Sequence, residues 1–95
     1  MALRARLRGR LHRDLGRRLA ELRQSRGLTQ QAFAERLDVS LRYVQSVEAG
    51  WENPTVGTLE KLAKALRVPV AELFASPASR AVRRGRPVKR RAESD

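Results

Sequence analysis

Residues 27–50, GLTQQAFAERLDVSLRYVQSVEAG, hold two short helical patterns separated by three residues. Thr29 is a good N-cap, and Phe33, Ala34 and Leu37 set out the inward face of a helix that runs to about Leu37. Asp38 stands at a tight corner without glycine; Asp tolerates the left-handed conformation better than most side chains. Ser40 caps again ahead of Leu41 through Ala49, and Gly50 ends that stretch. Val44, Val47 and Glu48 point inward, so Leu41, Arg42, Gln45 and Ser46 are left on the outside.

Upstream, Leu15, Leu19 and Leu22 make one apolar stripe of a first helix that ends near Arg26, ahead of Gly27. Leu3, Leu7 and Leu11 continue the four-residue spacing, so its start lies anywhere from Leu3 onward; Gly9 and Gly16 each weaken a helix by about 1 kcal/mol. Downstream, Asn53-Pro54 breaks the chain, Thr55 or Thr58 caps the next helix, the fourth, and Leu59, Leu62, Ala63 and Leu66 stripe it. A last short helix is expected to open with Pro69 in its first turn and to bury Val70, Leu73 and Phe74, with Pro77 closing the domain. Five short helices with brief connections and no strand pattern predict a compact all-α domain.

The chain has 95 residues, 41% of them hydrophobic and 33% charged, with no cysteine and a formal net charge of +11. That length holds one small domain plus tails and excludes large catalytic architectures. Absence of cysteine excludes disulfides and thiolate zinc sites and fits a reducing cytosol. No apolar run is long enough to span a membrane, and the Arg-rich start lacks both the serines of a transit peptide and the apolar core of a secretory signal. The charge is uneven: net +4 over residues 1–14, +2 over 15–75 and +5 over 76–95. A nearly balanced folded centre is therefore flanked by a basic arm or helix extension (1–14) and a basic tail (76–95) expected to be disordered until a polyanion arrives; the bland alternative is that the flanks aid solubility. Catalysis is not supported: the one histidine, His12, has no acid cluster beside it, and no phosphate-binding Gly loop or metal motif exists. Neither a cofactor nor a metal is expected.

Two brief helices joined across Asp38-Val39-Ser40, the second polar along one side, meet the requirement of a helix-turn-helix. A helix about 10 to 12 Å wide fits the ~12 Å major groove of DNA. Leu15-Gly16, Leu22-Arg23, Gly27-Leu28-Thr29-Gln30, Phe33-Ala34, Val39-Ser40, Tyr43-Val44, Val47-Glu48-Ala49-Gly50, Asn53-Pro54-Thr55, Leu59, Leu62-Ala63 and Ala65-Leu66 through Glu72-Leu73-Phe74 resemble the phage-repressor and Cro-like helix-turn-helix family, often called Xre, over about residues 15–75. The resemblance implies that Gln30 bonds a DNA phosphate and braces the recognition helix. It also implies that Leu41, Arg42, Gln45 and Ser46 face the major groove, and that Arg23 pairs internally with Glu48.

By their chemistry, Arg42 suits guanine O6 and N7 or a phosphate, Gln45 suits adenine, and Leu41 suits a thymine methyl. Ser40 is first a cap and second a phosphate ligand. Tyr43 has two readings, core packing or a hydroxyl at a phosphate. Trp51 has three: an indole N–H on a phosphate, a dimer contact, or a cover for the fourth helix. Asp38 departs from the glycine often found at this turn.

Arg83-Arg84-Gly85-Arg86-Pro87 resembles the core of AT-hook peptides, without the usual leading Pro. Arg84, Gly85 and Arg86, extended by Lys89, suit either minor-groove insertion or general phosphate attraction. Arg4, Arg6, Arg8, Arg10 and Arg13 suit the same attraction to DNA, or the leucine stripe between them packs against a second subunit. These readings converge on a cytoplasmic, nucleoid-associated transcriptional regulator that binds double-stranded DNA as a homodimer. The competing reading is an antitoxin or transcription-bridging module that binds a protein partner.

Overall fold

The computed structural model describes residues 9–78 as four α-helices, α1 (Arg10–Ser25), α2 (Gln30–Leu37), α3 (Leu41–Glu48) and α4 (Val56–Leu66), followed by a 3₁₀ helix, Val70–Phe74. No strand occurs among the described residues. The first eight residues and the tail from residue 79 onward, including Arg84, Gly85, Arg86 and Lys89, lie outside the described residues.

Local chemistry explains each boundary. Gly9 is extended at the N-cap of α1, so residues 10–14, expected as a basic arm or a helix extension, are part of the first helix. The hydroxyls of Thr29, Ser40 and Thr55 accept from the amides of Ala32, Tyr43 and Thr58, which satisfies donors that the first turns of α2, α3 and α4 otherwise leave unpaired. All four helices stop alike. A residue with positive φ comes after each, Gly27, Asp38, Gly50 and Arg67 in turn. The next amide, from Leu28, Val39, Trp51 or Val68, reaches back to the carbonyl of Arg23, Ala34, Ser46 or Ala63. This is the Schellman arrangement. Leu28, Val39 and Val68 then pack on the core, so each of those stops also directs an apolar side chain inward.

The core comprises Leu15, Leu19 and Leu22 of α1, Phe33, Ala34 and Leu37 of α2, Val44 and Val47 of α3, Leu62, Ala63 and Leu66 of α4, and Leu73. α1 packs on α3 and on the 3₁₀ helix; α2 packs on α3 and α4. Gly16 permits the first of these contacts, because a Cβ there would run into the carbonyl oxygens of Val47 and Glu48. Pro77 is fully buried, and the amide of Ala78 donates to Glu21 (3.2 Å), so packing continues to the last described residue.

Two expectations change at the C-terminal end. The fifth element is a 3₁₀ helix rather than an α-helix, and Pro69 is its extended N-cap rather than a residue of its first turn. With three residues per turn, Val70 and Leu73 eclipse on the inner side while Phe74 rotates outward. Leu73 is accordingly buried, Val70 partly so, and Phe74 is 45% exposed.

Candidate nucleic-acid interface

α3 has two faces because its apolar residues recur at three-residue spacing. Val44 and Val47 are buried, whereas Arg42 and Gln45 are exposed and Leu41 and Ser46 half-exposed beside them. The four outer residues make one edge, and the tight turn at Asp38 (φ 60°, ψ 46°) ends α2 just ahead of α3. The α3 helix has eight residues, about two turns.

An ion pair fixes the orientation of α3. Arg23 Nε donates to Glu48 Oε2 (2.7 Å) and Arg23 Nη2 to Glu48 Oε1 (3.1 Å), while Arg23 Nη1 donates to the carbonyl of Leu28 (2.8 Å). The two side chains are 9% and 8% exposed. Gln30 Nε2 donates to the same Glu48 oxygen (2.9 Å). The carboxylate on this helix is thus turned inward and its charge compensated. Arg23 ties α1, the α1–α2 loop and α3 together, and Gln30 joins the start of α2 to them.

The remaining candidates fall into place around the edge. Ser40 is exposed, and its hydroxyl oxygen is already engaged as the α3 cap. Tyr43 is half-buried and leans on α4: burial raises its phenol above the ordinary value, the Glu52 carboxylate adds to the rise, and a hydrogen bond with Thr58 opposes it. Its ring packs against the core. Trp51, 41% exposed, comes after the stop of α3, where its amide donates to the Ser46 carbonyl (2.9 Å).

Several contributors escaped the sequence reading. Arg26 Nε caps the end of α4 at the Leu66 carbonyl (2.7 Å), and Arg18 bonds both the carbonyl (2.8 Å) and the carboxylate (2.9 Å) of Glu72. An open groove of about 430 Å³ runs beside α3, lined on the α1 side by Arg17, Ala20, Glu21 and Gln24 and on the other by Gln30, Gln45, Glu48 and Ala49. Arg17 and Gln24 stand seven residues apart, hence on one face of α1, and that spacing is the one signal the sequence offers for it. Among the described residues, no acid and histidine cluster suits a metal, and no helix is long and apolar enough to cross a membrane.

Comparison with known proteins agrees with this geometry. The Helix-turn-helix family profile matches residues 19–73. An HTH-type transcriptional regulator of Sinorhizobium fredii, y4dJ, is 46% identical over 59 residues, which cover 62% of this chain and 77% of that protein. The immunity repressor of Bacillus phage phi105 is 36% identical over 59 residues, covering 62% of this chain and 41% of the repressor. The crystal structure of the restriction-modification controller protein C.AhdI from Aeromonas hydrophila superposes with a TM-score of 0.63 at 39% identity, over 65% of this chain and 94% of that one.

Proposed function

The chain belongs to the helix-turn-helix family, and from that membership we propose a DNA-binding transcriptional regulator that reads duplex sequence with the outer edge of α3. The observation that carries this reading is the exposed polar edge itself, built on a helix whose other side is buried and whose one carboxylate is neutralised by Arg23. Arg42, Gln45, Leu41 and Ser46 are the base-contacting set; Gln30, Ser40, Tyr43 and Trp51 border the strands. Tyr43 and Ser40 act there through packing and capping first. The basic residues beyond Ala78, Arg84, Arg86 and Lys89 among them, add attraction for phosphates or for a narrow minor groove.

One helix reads too few base pairs for useful discrimination, which favours a homodimer on half-sites about one helical turn apart. The exposed Leu11 (63%), Val56 (73%) and Phe74 (45%) supply apolar surface for it. The named relatives are regulators and repressors, so this chain is no enzyme, and the antitoxin or bridging alternative is not favoured. Its place of action is then the nucleoid in the cytoplasm. Selection of bound duplexes from random DNA tests the reading. A recovered motif whose binding weakens in Arg42→Ala and Gln45→Ala supports it, and recovery of no motif refutes it.

A further inference from the structure

We propose that the groove between α1 and α3 is a phosphate seat, in which Arg17 and Gln24 grip the DNA strand that borders the half-site. The proposal rests on the reading of α3 as the groove-entering helix. A helix about 10 to 12 Å across in a ~12 Å groove brings the two phosphate strands directly along its flanks. On one flank stands the α3–α4 connection with Trp51. The other flank is this groove, and Gln45 belongs both to the outer edge and to the groove wall. A duplex seated on the edge therefore places its strand at the groove mouth.

Three features select an anion as the occupant. The guanidinium of Arg17 and the amides of Gln24 and Gln30 bring donor groups from two helices to the wall of one space of about 430 Å³. Both acids in its wall are compensated. Glu48 accepts from Arg23 twice and from Gln30, and Glu21 lies 3.7 Å from Arg18 and accepts from the Ala78 amide. Glu21 also holds the last described residue, Ala78, and seven Lys and Arg come next in the sequence between residues 80 and 91. Donor chemistry and the charge that follows in the sequence therefore agree.

The test uses the full chain and a duplex selected by it from random DNA, with affinity followed by fluorescence anisotropy across a KCl series. Arg17→Ala is expected to weaken binding about tenfold by the same factor on every base-substituted site, and to make the slope of log K against log salt shallower by about 0.9. Thermal melting confirms that the variant is folded. A second arm replaces single flanking phosphates by neutral methylphosphonates: one replacement should weaken the wild type and leave Arg17→Ala unaffected. Gln24 is exposed, so Gln24→Glu keeps the fold and should bind more weakly than Gln24→Ala, because it aims a carboxylate at the phosphate. Unchanged affinity and slope in folded Arg17→Ala, or equal affinities of the two Gln24 variants, overturns the phosphate seat while the reading of α3 stands. A wild type that selects no duplex overturns both.

Discussion

Removing the Glu48 carboxylate should be the most damaging polar substitution in this domain. In Glu48→Ala, Arg23 keeps its bond to the Leu28 carbonyl but loses two charge-assisted bonds, and Gln30 loses its acceptor. With Arg23 buried at 7% exposure, the guanidinium is left charged where water reaches it poorly. Breaking such a pair costs about 3 to 5 kcal/mol. We take about 3, because the pair lies at the edge of the core beside an open groove. A domain of this size has roughly 4 to 10 kcal/mol in all. At about 4 to 8 °C per kcal/mol, the melting temperature should fall by about 12 to 24 °C. Circular dichroism melts and urea titrations measure this directly. The companion variant Arg23→Met/Glu48→Leu removes both charges; it should recover most of the loss, because the cost lies in the stranded cation and not in the missing attraction. A Glu48→Ala protein that melts within about 3 °C of wild type, less than 1 kcal/mol on that scale, would show that the pair does not hold α3.

Four further outcomes are expected. Gly16→Ala gains about 1 kcal/mol of helix propensity but forces a methyl against the carbonyls of Val47 and Glu48, so it should lower the melting temperature; an increase would deny the close approach of α1 and α3. Arg67→Gly relieves a left-handed non-glycine stop and should stabilise the fold by about 0.5 to 1 kcal/mol in urea titrations, a gain that vanishes if φ there is not positive. Because burial and Glu52 raise the Tyr43 phenol in the folded state, its contribution to stability is complete below pH 10.0 and declines as pH rises through the raised value; Tyr43→Phe should lose less stability than wild type over that alkaline window, and parallel pH curves would argue against it. Replacing both Arg84 and Arg86 by Ala should lower the salt slope of DNA binding, and an equal loss on A·T-rich and G·C-rich flanks would assign the tail to phosphates and not to the minor groove.

Most of the architecture is legible in residues 10–68, where apolar spacing, caps and stops agree with one another. Thr29 and Ser40 announce their helices, and Asp38 announces a corner despite the missing glycine, since its short polar side chain adopts φ 60° at modest cost. Arg67 carries no comparable signal. It adopts the same conformation because Val68 must return to the core and Pro69 comes next, a demand of tertiary packing. Phe74 defeats the α-helical periodicity because its segment is too short for that period, and the 3₁₀ period applies instead. Gly16 reads in sequence only as a weak helix former. Its reason lies far along the chain, in the carbonyls of Val47 and Glu48 at the end of α3.

The same distance problem explains why the outer edge of α3 is legible and the groove beside it is not. An edge belongs to one helix, so the two buried valines define it by subtraction. A groove belongs to several helices, and its members become neighbours only after the Arg23–Glu48 pair sets the angle between α1 and α3. The buried pair therefore supports more than stability. Glu48 Oε1 receives Arg23 and Gln30 together, so on the proposed reading a phosphate at the start of α2 and a base edge at Gln45 would act on one connected unit. An apolar replacement of the pair can restore the melting temperature, but it offers Gln30 no acceptor and supplies no directional bond between α2 and α3. Stability recovered in Arg23→Met/Glu48→Leu with discrimination among base-substituted sites diminished is the expected signature of this coupling. Full recovery of both would assign the pair to folding alone.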